Sequence, residues 1–573
     1  MTFLIRKRVQ ESISLKKRAR CIFLLLSVSI LSVLILYIPL QIIDHEHYKK
    51  KAFSNTFKIK KLEPSRGRIL DRHGVVIARN KPNYSISINR SDLKSKDDIH
   101  GIIQTVNTIS NLNLKIEDAV NSGNNIIFQN SVSIDEINNI LKYIDKIPAL
   151  SISSIETRDY PYRESMAHLL GFTKLDPINR ITIGMSGIEK LFNKSLSGEQ
   201  GVESVQVTPG GKILNKRIIE TPIRGLDITT SIDAKLQNHA YDILKNHGNS
   251  AFVAIDIHTG DILSLLSTPS FDPNLISSNK KQVLETTSFF DRSRNGLYPP
   301  ASTIKPFIGA SLLDGKWIDP TKKIWSGPYF KIGNQKFRDW KRTGHGKIDF
   351  YEAMAVSSDV FFYRSTYESG INYTSDYLKY FKFGQPIPNF LHNKKGILPS
   401  PKWKKDNKNQ QWYAGDTANT SIGQGFFLVT PLQLGYATAI LASGNLSLSL
   451  NITRNDIESN ASKKISEDLL QTIHNSLGAV VDLQEGTANS LKGKFKSKIA
   501  LKTGTAQVFN TSGKIDYDNE KVEKKFRDHG ILIGFYPLTN PKIAFSLVME
   551  NSGGSKSTLP VIKKIIEFYD EYY

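Results

Sequence analysis

Cysteine is almost missing from this chain of 573 residues: Cys21 is the only one. No disulfide can form within the chain and no cysteine-based metal cluster can be built, so packed cores alone must hold the fold. Acidic charge is also short, with 54 Asp and Glu against 76 Lys and Arg, a formal net charge of +22. That surplus suits a polyanionic partner such as nucleic acid, anionic lipid or an acidic polymer; a solvated basic surface has the same composition. Long apolar runs are the third scarcity. Residues 21–43, "CIFLLLSVSILSVLILYIPLQII", are apolar and carry no charge over 23 positions, enough to cross a bilayer as a helix, and no later segment is apolar enough to span.

Arg6, Lys7, Arg8, Lys16, Lys17, Arg18 and Arg20 precede that run, against the single acid Glu11. By the positive-inside rule this end is expected in the cytoplasm. A cleaved signal peptide is the rival reading, but the run is long for one and no small-residue cleavage site follows it before "DHEHYKK". The rest of the chain is expected outside the inner face, which argues against nucleic acid as a partner. The length calls for more than one domain.

Within "LDRHGVVIA" apolar residues flank His73–Gly74, predicting strand, turn and strand. Residues 91–150 read as polar helices, and residues 151–230 as short strands between glycine turns. Beyond residue 230 the pattern changes. "SIDAKLQNHAYDILKNH" predicts an amphipathic helix capped by Ser231, and "AFVAIDIHTGDILSLLSTPSF" a hairpin through Thr259–Gly260. Three strand-like runs, "KIALKTGTAQVF", "GILIGFYP" and "KIAFSLVMEN", precede a closing helix. The order predicts an α+β fold with a mainly antiparallel sheet flanked by helices. The expected domains are a tail (1–20), a transmembrane helix (21–43), an extended α/β pedestal (44–230) and a catalytic-type domain (231–573).

One candidate for chemistry is "YPPASTIKPF", with Ser302 and Lys305 three apart. Spacing alone is weak, since it recurs at Ser14–Lys17, Ser91–Lys94, Ser277–Lys280 and Ser278–Lys281. The prolines sharpen it. Pro299 and Pro300 can precede a helix, and Pro306 is harmless only in its first turn, so a helix is expected to begin near Ala301. Ser302 then lies in the positive field of the helix N-terminus, on the same face as Lys305. A serine attacks only if something takes its proton, and a lysine does so only when neutral. Further polar groups are therefore expected. "AVSSDVFFY" offers Ser357 and Asp359 at a helix start, where they also serve as ordinary caps. "IALKTGTAQV" offers Lys502, Thr503, Gly504 and Thr505 at a strand end. Gly504 admits a close backbone, and Lys502 with the threonines suits a carboxylate.

Ser302-x-x-Lys305, Ser357-x-Asp359 and Lys502-Thr503-Gly504, in this order, resemble the penicillin-recognising serine transpeptidases. The single anchor and long pre-catalytic region resemble class B. "EPSRGRILDRHG", "STPSFDPNL", "NGLYPPASTIKP", "FRDWKRTGHG", "QQWYAGDTANTSIGQGF" and "FRDHG" are similar to its elongation-specific branch, the penicillin-binding protein 2 group. The resemblance covers about residues 63–550. It implies a peptidoglycan DD-transpeptidase for elongation and rod shape, with stem peptides as substrates and β-lactams as inhibitors. Ser302 would attack the D-Ala-D-Ala carbonyl, Lys305 take its proton, and Ser357 relay a proton towards the leaving amine with Lys502 close by. Thr503 and Thr505 would hold the donor carboxylate, and the N–H groups of Ser302 and Thr505 the oxyanion. Elongation-complex proteins and a SEDS-type glycosyltransferase are the implied partners. The implied location is the inner membrane, single-pass, with the catalytic domain in the periplasm.

Departures from the family pattern are specific. The middle motif commonly ends in Asn; Asp359 stands there as the implied substrate-binding residue, with an amide contact to substrate put in question. Some relatives hold a zinc through two Asp, one His and one Cys. Asp339 and His345 match two of these, Ser358 occupies the cysteine position, and the other aspartate position falls near Trp325. Two ligands seldom hold a structural zinc, so no metal and no cofactor are expected. The septal transpeptidase is the rival within the same chemistry. A β-lactamase would need a deacylating base, for which no Glu motif is visible. A penicillin sensor would need several spans and a cytoplasmic output.

Overall fold

The computed structural model describes residues 2–38, 41–42, 44–93, 98–122, 125–132, 134–176, 181–208, 213–276, 287–387, 390–454, 463–508 and 523–573. The chance pairs Ser91–Lys94, Ser277–Lys280 and Ser278–Lys281 each have a member outside these. Two compact units form. One gathers residues 1–64, 82–155 and 199–223; the other gathers 65–81, 156–198 and 224–573. The grouping in space is interleaved along the chain, and the expected boundary between pedestal and catalytic-type domain, near residue 230, falls inside the segment 224–573 of the second unit.

The first unit begins with the helix Thr2–Ile38. Its stretch Ile13–Ile38 has a mean hydropathy of 2.8 and none of it is buried. At 1.5 Å per residue these 26 residues reach about 39 Å, more than the roughly 30 Å hydrocarbon core. It is the one helix among the described residues long and apolar enough to cross a membrane. Elsewhere in the unit, strand Gly201–Val207 lies between Phe57–Leu62 and Ile213–Glu220, antiparallel to both. A separate core of Ile86, Ile88, Ile103, Val106, Phe128, Ile137 and Ile140 joins helices Asp98–Ser110 and Ile134–Leu141 to strands. Two of those strands, Ala119–Ser122 and Asn125–Val132, lie where the sequence reading has only polar helices.

In the second unit five antiparallel strands make the central sheet: β1 (Ser250–Asp256), β2 (Ile262–Thr268), β3 (Ala500–Ala506), β4 (His529–Tyr536) and β5 (Ile543–Met549). Their order is β2-β1-β5-β4-β3, so the late strands complete the early hairpin and β3 is an edge. Every residue of β2 and β5 is buried. Successive side chains point to opposite faces, so helices must cover both. The turn predicted at Thr259–Gly260 forms, with Gly260 at φ +76°. A Cβ there would sit 1.9 Å from the Ser449 carbonyl oxygen, which no other residue tolerates.

The helix Ala234–Leu244 is capped by Asp233, whose carboxylate accepts from the Leu236 N–H, and not by Ser231 as expected. Ser231 is spent elsewhere: its hydroxyl reaches the Ile262 and Asn451 carbonyls at 2.9 Å each. The helix therefore starts two residues late, because buried carbonyls compete for the first hydroxyl.

Candidate active site

The Ser302 turn is built by its prolines and by one glycine. Residues Ala301–Ile304 form a 3-10 turn that runs into α1 (Lys305–Asp314), where Pro306 sits at the start and its missing N–H costs nothing. Ala301 adopts φ +50°, a conformation that β-carbon sterics disfavour. It is held by its N–H, which donates to the Gly423 carbonyl at 2.9 Å. Gly423 has φ +69°, and a Cβ on it would lie 2.4 Å from the Ala301 carbonyl oxygen. Ala301, Thr303, Ile304 and Lys305 are buried while Ser302 is partly exposed. Among the described residues nothing hydrogen-bonds the Ser302 Oγ, Lys305 included.

Lys305 turns instead towards the middle motif. Its amine, fully buried, donates to the Ser357 carbonyl at 2.7 Å, to Asp359 Oδ1 at 2.7 Å and to Ser357 Oγ at 3.3 Å. Lys502, equally buried, donates to Ser357 Oγ at 2.8 Å. One hydroxyl thus lies between two buried amines, with one carboxylate beside them. Ser357 itself has φ +58°. Burial, and then the Lys305 charge, push the Lys502 amine well below the ordinary lysine value. Burial raises Asp359 above the ordinary carboxylate value, against the pull of Lys305. The Asp359 carboxylate, read in the sequence as a substrate contact, is engaged by Lys305.

Strand β3 brings the last motif in. Lys502 and Gly504 share the face towards the serine turn, and a Cβ on Gly504 would lie 3.0 Å from Thr303 Cγ2 and 3.3 Å from the Pro300 carbonyl oxygen. Glycine here lets the strand lie against the turn. Thr503 and Thr505 alternate to the other face. Thr503 Oγ1 is 2.7 Å from Thr487 Oγ1, and Thr505 Oγ1 accepts from the Ser555 N–H at 3.1 Å. Neither Thr487 nor Ser555 stands out in the sequence: Thr487 simply follows Gly486, and Ser555 is one of four hydroxyl residues between 552 and 558.

The residues at the relatives' zinc position do not make a zinc set. Asp339 and His345 are joined to each other, Nε2 to Oδ1 at 3.1 Å, and Ser358, at the cysteine position, lies 2.7 Å from the hydroxyl of Ser326. Hydroxyls are poor zinc ligands beside thiolate and carboxylate. With Nε2 on Asp339, the other ring nitrogen of His345 faces away from the carboxylate. Among the described residues no three or more His, Cys, Asp or Glu side chains cluster as a metal would need.

Comparison with known proteins fits this geometry. Residues 250–567 match the penicillin-binding protein transpeptidase domain, and residues 61–230 the penicillin-binding protein dimerisation domain. The chain is 30% identical over 594 residues to the peptidoglycan D,D-transpeptidase MrdA of Acinetobacter baumannii, covering 96% of this chain and 87% of that protein. MrdA of Escherichia coli K12 is 27% identical over 577 residues, covering 92% and 90%. The solved complex of the penicillin-binding protein PBP2 with MreC from Helicobacter pylori matches with a TM-score of 0.76 at 26% identity, over 91% of this chain and 100% of that one. The chain belongs to the penicillin-binding transpeptidase family, as a peptidoglycan D,D-transpeptidase of its elongation-specific branch.

Proposed function

We propose that Ser302 is the nucleophile and that the two amines meeting at Ser357 move its proton. The observation carrying this is the convergence of Lys305 and Lys502 on the Ser357 hydroxyl beside a turn whose accessible residue is Ser302. Lys305, ion-paired with Asp359, is the proton donor of the relay, and Lys502, whose pKa burial lowers, is its acceptor. Lys305 passes a proton to Ser357, whose own proton goes to Lys502. The freed Lys305 lone pair then takes the proton of Ser302 as its oxygen attacks the D-Ala-D-Ala carbonyl. The N–H groups of Ser302 and Thr505 receive the oxyanion, and Thr503 and Thr505 the donor carboxylate. Collapse breaks the C–N bond, and the leaving D-alanine takes its proton back through Ser357. An amine from a second stem peptide resolves the ester, and a β-lactam is caught by the same serine. No cofactor enters.

The domain bounds and surroundings belong to the same reading. Residues 21–43 anchor the chain in the inner membrane, with residues 1–20 cytoplasmic, the pedestal 44–230 and the transpeptidase domain 231–573 periplasmic. The pedestal docks elongation-complex proteins, as the PBP2–MreC complex of Helicobacter pylori exemplifies for a relative, and a SEDS-type glycosyltransferase. The net charge of +22 suits anionic lipid and cell-wall polymer.

Purified protein treated with a fluorescent penicillin and run on a denaturing gel tests the nucleophile. Wild type and Ser14→Ala are expected to hold the label for many minutes, and Ser302→Ala to hold none. Labelled Ser302→Ala, or rapid loss of label from wild type, would overturn the mechanism.

A further inference from the structure

Ser357 must hold a left-handed backbone, φ +58°, for its hydroxyl to sit between the two amines. Such a conformation persists in a non-glycine residue only where its surroundings enforce it. Lys305 holds the Ser357 carbonyl, the Ser357 and Ser358 N–H groups donate to the Met354 and Ala353 carbonyls, and one further side chain gathers the residues that follow. Asp339 Oδ2 accepts from Ser358 Oγ at 3.0 Å, the Asp359 N–H at 2.9 Å and the Val360 N–H at 3.0 Å, the three residues directly after Ser357. Its other oxygen, Oδ1, is held by His345 Nε2 at 3.1 Å and the Lys341 N–H at 3.2 Å. Ser358 gives its one proton to Asp339, so Ser326 must donate to Ser358 across their 2.7 Å contact, and Ser358 Oγ also accepts the Phe361 N–H. The side chains of Asp339 and His345 are 0% and 2% exposed, so water does not replace these bonds.

We propose that Asp339 is the positioning residue of the transpeptidation site: buttressed by His345, and by the Ser326–Ser358 hydroxyl pair, it fixes the Ser357 turn without a metal. The negative charge sits at the N-terminus of α2 (Asp359–Ser369), where the helix dipole favours it. The device does by hydrogen bonds what a bound cation would otherwise do: it ties an upstream loop to the middle motif. Asp339 touches neither Ser302 nor the amines, so its loss is expected to slow acylation and to leave the initial, non-covalent capture of a penicillin intact.

The test uses the full-length chain in detergent, with the acylation rate constant and the pre-acylation dissociation constant measured separately for a fluorescent penicillin. Asp339→Ala is expected to lower the rate constant about 100-fold, the scale of a 1 Å misplacement, with the dissociation constant within about threefold of wild type. His345→Gln keeps a donor where Nε2 lies and is expected to stay within about threefold in rate; His345→Ala is expected to fall at least about tenfold. Wild type is expected to carry no stoichiometric zinc by mass spectrometry and to acylate equally after chelator treatment. Asp339→Ala acylating within about threefold of wild type overturns the proposal. So does an equal fall in both His345 variants, or a stoichiometric zinc whose removal abolishes acylation. If Asp339→Ala does not fold, the two His345 variants decide, because a merely structural loss would not be rescued by glutamine alone.

Discussion

Lys502 is the residue whose state the mechanism depends on most. As a fully buried amine within reach of Ser357 and under the influence of the Lys305 charge, it is driven towards its neutral form. The sign for activity follows directly. Protonated Lys502 cannot accept the relayed proton, so acylation falls as pH drops through its lowered pKa and is already flat well below the ordinary lysine value of 10.5. The second-order acylation constant of a penicillin, measured across pH, checks this. A tenfold climb per pH unit continuing into the ordinary lysine range would mean that no amine in the site is neutral at rest, and the relay would fail. Ser302 and Lys305 were legible in the sequence because prolines at 299, 300 and 306 leave one place for a helix to start. The partnership of Ser357 with Lys502, 145 positions apart, was not. It came from resemblance, since no local pattern encodes a contact made by tertiary packing. In the sequence Asp339 stands out, with its partner His345, only as a metal-ligand remnant, because its other partners are the Ser358 hydroxyl and backbone N–H groups, which carry no signature.

At the scale of elements the decisive fit is that of edge strand β3 against the turn Ala301–Ile304. Both were readable, one as an apolar run and the other from its prolines, but their contact hangs on the absence of a side chain at Gly504. A methyl group there would press on Thr303 Cγ2 at 3.0 Å, the Thr303 nitrogen at 3.2 Å and the Pro300 carbonyl oxygen at 3.3 Å. Backbone atoms give less readily than a flexible side chain. Gly504→Ala is therefore expected to cost about 1–3 kcal/mol of stability by overpacking and to slow acylation about tenfold by tilting Ser302 away from the strand. Thermal melts with acylation rates on the same preparation measure both; unchanged rates would mean the strand does not set the serine's position. Strands Ala119–Ser122 and Asn125–Val132 show the opposite case. Their sequence, "AVNSGNNIIFQNSV", is rich in Asn and short of β-branched residues outside Ile126, Ile127 and the valines, so propensity pointed away from strands. Burial of Ile126 and Phe128 in a core with Ile86 and Ile88 outweighs that weak bias.

At the scale of the whole molecule, the proposed topology rests on one asymmetry of charge about one apolar helix. Seven basic residues stand ahead of residue 21 against one acid, and by the positive-inside rule the proposed periplasmic domain lies on the opposite side of the membrane from them. The scarcity of cysteine makes this directly measurable. With Cys21→Ser the full chain has no thiol, so a single new cysteine reports its own side of the membrane. Ser14→Cys lies in the helix Thr2–Ile38 at the charged start of its stretch Ile13–Ile38, ahead of the uncharged run 21–43, and Asn334→Cys lies on an exposed turn between strands Tyr329–Ile332 and Gln335–Arg338. Neither touches the candidate site, so both variants are expected to keep penicillin labelling, which serves as the folding control. In intact spheroplasts a membrane-impermeant maleimide is expected to label Asn334→Cys and to reach Ser14→Cys only after permeabilisation. Labelling of both without permeabilisation would point to an N-terminus that had crossed the membrane. The reverse pattern would place Ser302 on the side where no peptidoglycan is cross-linked, and the proposed topology would have to be abandoned.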